Sequence, residues 1–138
     1  MEKKIDEKKL LSEAKKAREN AYAPFSGFTV GAALLTKDGK IYRGCNIESS
    51  VMSPSLCAER VALAKAISEG EKDFVAIAIA GALEGETSKE PCYPCGVCRQ
   101  TLSEHVGIRS FKVIVEEDGK AKNCTLEDLL PNAFIFEK

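Results

Sequence analysis

Apolar positions recur along the chain with two different periods, which predict helices and strands in turn. Over residues 6–21 they follow a spacing of three to four, as in an amphipathic helix. Residues 28–36 and 40–45 are largely apolar and partly β-branched, and the intervening Lys37-Asp38-Gly39 is typical of a tight turn. The first third of the chain therefore predicts one helix followed by two antiparallel strands.

The rest of the chain continues this alternation of helices and strands. Residues 56–69 predict a helix that ends at Gly70, and residues 74–80 are a continuous apolar run, as in a strand covered on both faces. The remaining predicted elements are a helix from near Cys98 to Gly107, a strand over residues 111–115, a turn at Glu117-Asp118-Gly119 and a short helix over residues 126–130. Such alternation favours an α/β fold in which helices pack over both faces of a mixed sheet.

Composition places these elements in one domain, residues 1–138. A chain of 138 residues with 44% hydrophobic positions has the commonest domain size and enough apolar side chains for a core. The net charge is −1, so no excess of positive charge favours binding to polymeric nucleic acid or to a membrane. The N-terminal residues lack the apolar segment of a signal peptide, which predicts a cytoplasmic protein. In that reducing compartment, the six cysteines are expected as metal ligands or free thiols.

Cys57-Ala58-Glu59 and Pro94-Cys95-Gly96-Val97-Cys98 are the motifs that carry the most chemistry. Three thiolates can hold one zinc ion and leave a fourth coordination position open for water. A carboxylate two residues after the first thiol can move protons at that position. Zinc deaminases share this pattern, a His or Cys two residues before Glu and then Pro-Cys-x-x-Cys. The motifs therefore predict a water-activating zinc site in which Cys57 is a ligand and Glu59 carries protons.

The same residues also fit other kinds of site. Cys92 with three further thiols would complete a closed structural zinc site, and Cys92-x-x-Cys95-x-x-Cys98 resembles part of an iron–sulfur binding run, although the further Cys and Pro of that run are absent. Because Pro91-Cys92-Tyr93-Pro94-Cys95 also matches Pro-Cys-x-x-Cys, spacing alone does not decide which two thiols join Cys57. Glu59 and Arg60 also fit an ordinary solvated face of a helix.

Placement on the predicted helices favours the reactive interpretation. Cys57 and Cys98 are expected in the first turns of two helices, where free N–H groups and the helix dipole stabilise a thiolate. Three thiolates make a zinc centre negative, which weakens its effect on bound water. Arg60, one helical turn after Cys57, is expected to offset that charge through hydrogen bonds to sulfur. Glu59 is expected to point toward the open coordination position.

Several further motifs resemble those of the small, homotetrameric cytidine deaminases that bind zinc through three cysteines. The matching segments are residues 22–35, Cys45-Asn46-Ile47-Glu48, Cys57-Ala58-Glu59-Arg60, residues 94–100 and residues 129–134. The resemblance covers nearly the whole chain, and it favours Cys95 and Cys98 over Cys92 as the other ligands. It implies a three-layer α/β/α fold with a five-stranded mixed sheet, one Zn²⁺ per chain and a homotetramer.

The resemblance also implies a reaction, the hydrolysis of the 4-amino group of cytidine and deoxycytidine to give uridine or deoxyuridine and ammonia. Glu59 would be the proton shuttle of that reaction. Phe134 matches a C-terminal aromatic that reaches the site of a neighbouring subunit, although a core position is the alternative for this residue because Phe136 would share its face.

Residues of the nucleoside pocket follow from the same resemblance. Asn46 and Glu48 match residues that hold the ribose 3′-hydroxyl. Phe28 matches an aromatic that packs against the pyrimidine, with a plain core residue as the alternative. The backbone N–H of Ala58 matches a donor to the base carbonyl, and the Tyr93 carbonyl is expected to accept from the 4-amino group.

Two departures from the family pattern bear on substrate range. Where the family continues with Asn-Ala-Ser/Cys-Tyr after Glu48, this chain has Ser49-Ser50-Val51-Met52, so a flexible thioether replaces a tyrosine. Residues 81–93 also form a longer segment than is usual before the Pro-Cys motif. Ser50, Met52 and this segment are therefore candidate specificity determinants that would admit a modified or N4-substituted cytidine.

Three alternative functions follow from the motifs. A deaminase acting on RNA or DNA would share the zinc motif, but the charge balance together with Asn46 and Glu48 favours a free nucleoside. A deaminase of a nucleoside antibiotic would fit the short chain. A non-catalytic structural zinc domain would keep the metal and have no turnover to lose when Glu59 is replaced.

Overall fold

A five-stranded mixed sheet forms the middle layer of the fold in the computed structural model, which describes residues 4–136. The elements in chain order are α1 (Glu7–Arg18), β1 (Phe28–Thr36), β2 (Ile41–Cys45), α2 (Ala58–Ser68), β3 (Phe74–Leu83), α3 (Gly96–Ser103), β4 (Lys112–Glu117), β5 (Lys120–Thr125) and α4 (Leu126–Leu129). The strand order is β2-β1-β3-β4-β5, with β3 and β4 parallel and the other neighbours antiparallel. The predicted α/β fold is confirmed, including its mixed sheet of five strands.

Helices cover both faces of this sheet, as the alternation of elements predicted. One face packs against α1 through a core that consists of Leu10, Leu11, Ala14, Ala33, Ala76, Ala78, Ala80 and Ile114. The opposite core joins the sheet to α2, α3 and α4, with Leu63, Leu102 and Leu126 as buried contacts from the three helices. Successive residues of a strand face opposite sides, so odd and even positions of β1 and β3 serve different cores.

Two glycines of the sheet let the helices approach the strands closely. A Cβ atom on Gly31 would lie 2.0 Å from the carbonyl oxygen of Ala14 in α1, and one on Gly44 would lie 2.5 Å from the carbonyl oxygen of Ala58 in α2. Neither position has room for a side chain, so the backbone of each helix lies directly against a strand. Gly44 therefore sets the height of the first turn of α2 above the sheet.

The turn at residues 117–119 leads into a strand, β5, that the pattern of apolar positions does not predict. Asp118 and Gly119 have positive φ angles of 52° and 77°, which is the backbone of a tight hairpin turn. The strand itself, Lys120–Thr125, is mostly exposed and lacks an apolar alternation. It is a strand because it pairs with β4 along six positions, from Lys112↔Thr125 to Glu117↔Lys120. Pairing of this kind overrides local propensity.

The ends of several predicted elements also differ. Leu56 pairs with Ile47 in a β-bridge, which keeps the backbone extended through Cys57, so α2 begins at Ala58 and not at Leu56. The prediction that Cys57 lies in the first turn of that helix is therefore wrong by one position. α3 begins at Gly96 and ends at Ser103, short of the expected Gly107. Within residues 4–136, no helix has the length and apolar character that a bilayer span needs.

Candidate functional site

The three candidate zinc ligands meet at the starts of two helices. Cys57 is the N-cap of α2 and Cys95 is the N-cap of α3, and neither side chain makes a capping hydrogen bond. Cys98 follows in the first turn of α3 and is fully buried. The two helix starts thus bring thiols that are distant in sequence to one place, beside backbone N–H groups that have no partner within the helices.

These thiols form one compact cluster. The Cys95 sulfur lies 3.7 Å from that of Cys57 and 3.5 Å from that of Cys98. All three sulfur atoms lie within 4.8 Å of one another, and Cys92 is not part of the group. Its position outside the cluster counts against both the closed four-cysteine site and the iron–sulfur run.

Arg60 brings positive charge to the cluster, as the sequence predicts. Its Nη2 atom donates to the Ser55 carbonyl oxygen at 3.2 Å and lies 3.8 Å from the Cys57 sulfur. The nearby Cys98 thiol, ahead of the Arg60 guanidinium, lowers the pKa of Cys57 to about 5. The Cys57 sulfur in turn, ahead of burial, raises the pKa of Cys98.

Glu59 lies in the wall of a cavity of about 620 Å³ that is also lined by Cys57 and Cys95. The residue is only 4% exposed, and this burial raises the pKa of its carboxyl group above the ordinary value. A raised pKa suits a group that must take up and release a proton. The alternative that Glu59 belongs to a solvated helical face is wrong.

Asn46 and Glu48 line the same cavity, and both also fix the backbone around it. The Asn46 side chain accepts from the Val30 N–H at 2.8 Å and donates to the Phe28 carbonyl oxygen at 2.9 Å. Glu48 accepts from the backbone N–H groups of Phe25 and Ser26 and from the Ser26 hydroxyl. The Ser26 hydroxyl, ahead of the backbone donors, lowers the pKa of the Glu48 carboxyl. The two side chains therefore tie the start of β1 to the cavity.

Comparison with known proteins agrees with this arrangement. Residues 4–115 match the family model of the cytidine and deoxycytidylate deaminase zinc-binding region. The chain belongs to this deaminase family. The cytidine deaminase of Sporosarcina psychrophila is 46% identical over 133 residues, which cover 96% of this chain and 94% of that relative.

Two further cytidine deaminases extend the comparison. The enzyme of Halalkalibacterium halodurans is 44% identical over 133 residues, which cover 96% of this chain and 97% of that relative. The 1.6 Å crystal structure of cytidine deaminase from Burkholderia pseudomallei matches this fold with a TM-score of 0.83 and 42% identity. That match covers 94% of this chain and 100% of the other. The predicted family and its three-layer fold are confirmed.

Zinc is the metal of this deaminase family, and the thiol cluster fits it. In a tetrahedral site with Zn–S bonds of about 2.3 Å, the sulfur atoms lie about 3.8 Å apart. The separations of 3.5 and 3.7 Å at Cys95 are close to that value. Thiolates are also soft ligands of the kind that zinc accepts. Cys57, Cys95 and Cys98 can therefore hold the family's metal.

Of four other residues that the deaminase resemblance implies for the pocket, three line the cavity and one lies outside it. Ala58 and Tyr93 line the cavity. Met52 also lines it and is 85% exposed, which puts this side chain at the rim. Ser50 is exposed and lies outside the lining, so the structure does not place it as a specificity residue.

Phe28 and Phe134 are not part of this lining. The Phe28 ring lines a neighbouring groove of about 590 Å³ together with Leu83 and part of the segment that follows β3. Phe134 is 70% exposed, and its carbonyl oxygen accepts from Gln100 Nε2 at 3.1 Å. Neither aromatic is a plain core residue of this chain, since Phe28 is itself 40% exposed.

Arg99 and Cys92 have structural roles that sequence reasoning missed. The Arg99 guanidinium donates to the Pro94 carbonyl oxygen at 2.7 Å and to the Leu129 carbonyl oxygen at 2.8 Å, so it ties the turn before Cys95 to the end of α4. Only its place in the segment that resembles the deaminases could have signalled this. Cys92 lines the cavity, and burial raises the pKa of its thiol to about 11, so it packs there as a small uncharged group.

Proposed function

We propose that the protein is a zinc-dependent hydrolase that converts cytidine and deoxycytidine to uridine and deoxyuridine with release of ammonia. One observation carries the proposal: a buried carboxyl group, Glu59, shares a cavity of about 620 Å³ with a three-thiol cluster and with Asn46 and Glu48. A cavity of this size suits one small molecule and not a polymer. The family to which the chain belongs supports the same reaction.

Cys57, Cys95 and Cys98 would hold the zinc ion, and Arg60 would offset part of the charge of three thiolates. When bound, zinc supplies the Lewis acidity that lowers the pKa of water and stabilises negative charge on oxygen. Thiols must lose their protons to become ligands. The lowered pKa of Cys57 favours that loss at one of the three ligands.

Glu59 moves the protons of the reaction. Its carboxylate takes a proton from the attacking water and delivers it to N3 of the cytosine ring while the water oxygen bonds to C4. It then carries the remaining proton of that oxygen to the 4-amino nitrogen, and the C4–N bond breaks to release ammonia. Burial of Glu59 suits both transfers, because a raised pKa makes the carboxyl group a better acceptor and keeps bulk water from competing.

Backbone groups and two polar side chains would orient the nucleoside. The N–H of Ala58 at the start of α2 is free to donate to the base carbonyl, and the Tyr93 carbonyl would accept from the 4-amino group. Asn46 still has one amide hydrogen, and Glu48 still has acceptor capacity on its second oxygen, after their contacts to the backbone. These remaining groups suit the ribose hydroxyls. Phe28, whose ring lines the neighbouring groove, would approach the base from the side of β1.

We also propose that the active form is a homotetramer in a reducing cytoplasm. The C-terminal residues Phe134, Ile135 and Phe136 are 70%, 50% and 58% exposed, and such apolar surface is typical of a subunit interface. Phe134 lies outside the cavity of its own chain, so a neighbouring chain is where it would meet a substrate. All six cysteines are free thiols, which suits a reducing compartment. Light scattering on the purified protein and fractionation of the native cells test these two points.

The test of the reaction combines a cytidine assay with metal analysis. The wild-type protein should carry about one zinc per chain and convert cytidine to uridine, which is followed by the loss of cytidine absorbance. Glu59→Gln should keep zinc and fold but lose at least about 10²-fold in kcat, the usual contribution of a positioned acid–base group. Wild-type protein that contains zinc but leaves cytidine unchanged would overturn the proposal and favour a structural zinc domain. Oligonucleotide substrates should show no turnover.

A second candidate substrate class is favoured by one side chain, Met52. It is 85% exposed at the rim, and thioethers adapt to ligands of different shape. The cavity would then also accept a cytidine that carries a substituent on the 4-amino nitrogen, or a nucleoside antibiotic. Turnover of N4-methylcytidine and cytidine by the same preparation tests this class, which is wrong if only cytidine reacts.

A further inference from the structure

Gly81 in β3 leaves a gap on the sheet that two side chains fill. A Cβ atom at this position would lie 2.8 Å from the Cys92 sulfur and 3.0 and 3.1 Å from Cε1 and Cζ of the Phe28 ring. Real Cβ atoms do not make contacts as short as the first, so the sulfur and the ring both occupy space that exists only because Gly81 has no side chain. Gly81 does not have a positive φ, so the need for glycine here is one of space.

The gap faces the proposed active site. Gly81 pairs with Val30 across the β1–β3 ladder, and paired residues point to the same face of a sheet. Val30 lines the cavity that contains Glu59. Cys92 lines that cavity as well, whereas the Phe28 ring lines the neighbouring groove. The two side chains in the gap, Cys92 and Phe28, therefore lie at the boundary between the nucleoside cavity and the groove beside it.

Packing is what holds the segment that carries Cys92. Within residues 4–136, no hydrogen bond joins residues 87–93 to other parts of the chain, and the nearest one on the C-terminal side is that from Arg99 to Pro94. Ser88 and Cys92 are the side chains of this segment that turn inward, with Ser88 4% exposed. The contact of Cys92 with the bare backbone of Gly81 is thus the anchor on the N-terminal side of Tyr93, as the hydrogen bond to Pro94 is on its C-terminal side.

We propose that Gly81 is a positioning residue for the nucleoside site, because its missing side chain lets Cys92 and Phe28 seat against β3 and so places the Tyr93 carbonyl and the Phe28 ring. The inference rests on the proposed deaminase function. A methyl group at position 81 would push the Cys92 sulfur outward and lift the chain that leads to Tyr93. It would leave the zinc cluster in place, because that cluster is held by the starts of α2 and α3.

The test compares Gly81→Ala with the double variant Gly81→Ala/Cys92→Ala, in which the atom nearest to the new methyl group is gone. We expect Gly81→Ala to raise KM for cytidine about tenfold, which corresponds to about 1.4 kcal/mol of lost binding, and to keep the zinc content of the wild type. The double variant should recover most of that loss. Alkylation of the Cys92 thiol, mapped by peptide mass spectrometry, should be faster in the single variant than in the wild type. Gly107→Ala is the matched control, since its methyl group would meet only the flexible Ser110 hydroxyl at 3.2 Å.

Each outcome either supports or overturns the proposed role of Gly81. A KM and a Cys92 alkylation rate that are unchanged in Gly81→Ala would overturn the inference, as would a double variant no better than the single one. If Gly81→Ala does not fold, Cys92→Leu adds volume to the same gap from the loop side. An unchanged KM in that variant would overturn the inference equally. Failure of the wild type to react with cytidine is a different result, since it removes the proposed function while the alkylation experiment still reports on the gap.

Discussion

The guanidinium of Arg60 lies 3.8 Å from the sulfur of Cys57, one helical turn further along α2, and is anchored there by the Ser55 carbonyl oxygen. This cation faces a cluster that becomes negative when all three thiols are deprotonated. Arg60→Gln should lower kcat/KM or zinc affinity about 10- to 100-fold, the usual effect of losing a group that supports a metal ligand. Arg60→Lys should have kcat/KM and zinc affinity between those of the wild type and Arg60→Gln, because lysine keeps the charge but lacks the planar guanidinium.

Zinc titration with a chromogenic chelator and steady-state kinetics measure both quantities for Arg60. Arg43→Gln is the control, since its guanidinium is exposed and, among residues 4–136, forms an ion pair only with Glu13, at 3.7 Å. Equal losses in the Arg60 and Arg43 variants would mean that the charge near Cys57 is not what matters.

The cysteine cluster predicts which thiols the zinc requires. Cys57→Ser should lose zinc, because a hydroxyl is a much poorer ligand than a thiolate and the site then has only two thiols. Cys92→Ser should keep about one zinc per chain, since Cys92 lies outside the cluster. Metal analysis after dialysis against a weak chelator distinguishes them. Zinc loss from the Cys92 variant would revive the closed four-cysteine site.

A side chain at Gly44 should lower the stability of the fold, because it would displace α2 and the part of the site that α2 carries. Gly44→Ala should lower the free energy of unfolding by about 1 to 3 kcal/mol, because its Cβ would lie 2.5 Å from backbone atoms of Ala58 and Ala62 and α2 must move away. Urea unfolding measures this change. Gly96→Ala is the matched control, as its Cβ would meet no atom of residues 4–136 within 4 Å. Similar midpoints for the two variants would show that α2 has room to shift without cost.

An ion pair between a half-exposed lysine and a buried glutamate joins α1 to β4 on the other side of the sheet. Lys15 Nζ lies 2.6 Å from Glu116 Oε2, and the Glu116 side chain is only 7% exposed. Lys15→Met should lower the free energy of unfolding by about 1 to 3 kcal/mol, because it leaves a buried carboxylate without its cation. The expected loss of stability is small for a buried carboxylate because the Lys15 side chain is 40% exposed, so that water screens the pair.

The neighbouring Lys16→Met is the control for that prediction. Lys16 pairs with Glu13 at 3.6 Å and its side chain is 60% exposed, so its loss should change stability by less than about 0.5 kcal/mol. Urea unfolding near neutral pH compares the two. If both substitutions have the same small effect, then Glu116 is reached by water and the pair does not stabilise the fold.

Sequence patterns predicted the parts of this protein in which local and global preferences agree. The apolar run of β3 and the amphipathic face of α1 are recognisable because the same residues that favour the element also form its core. β5 was missed because its exposed residues carry no such pattern and only pairing with β4 makes it a strand.

Functional residues were predicted where the spacing of a motif identifies them. They were missed where their roles depend on contacts with residues distant in sequence. Cys57, Cys95 and Glu59 meet because each lies at or beside a helix start. Gly81 and Arg99 owe their roles to contacts with Phe28 and Leu129, which are distant in sequence, and nothing in their immediate neighbours signals those contacts. Phe28 lies outside the cavity lining for a similar reason, since its ring packs into the space beside Gly81.

Arg99 has a consequence for how this protein can diversify. Its two hydrogen bonds pin Pro94 to Leu129, while the pairing of Leu83 with Phe28 pins the end of β3, so the residues between these points begin and end at fixed positions. Loops with fixed ends tolerate insertions and deletions at small entropic cost. The segment between β3 and Pro94 can therefore gain or lose residues over evolution, or in a design library, without displacing the metal ligands on either side.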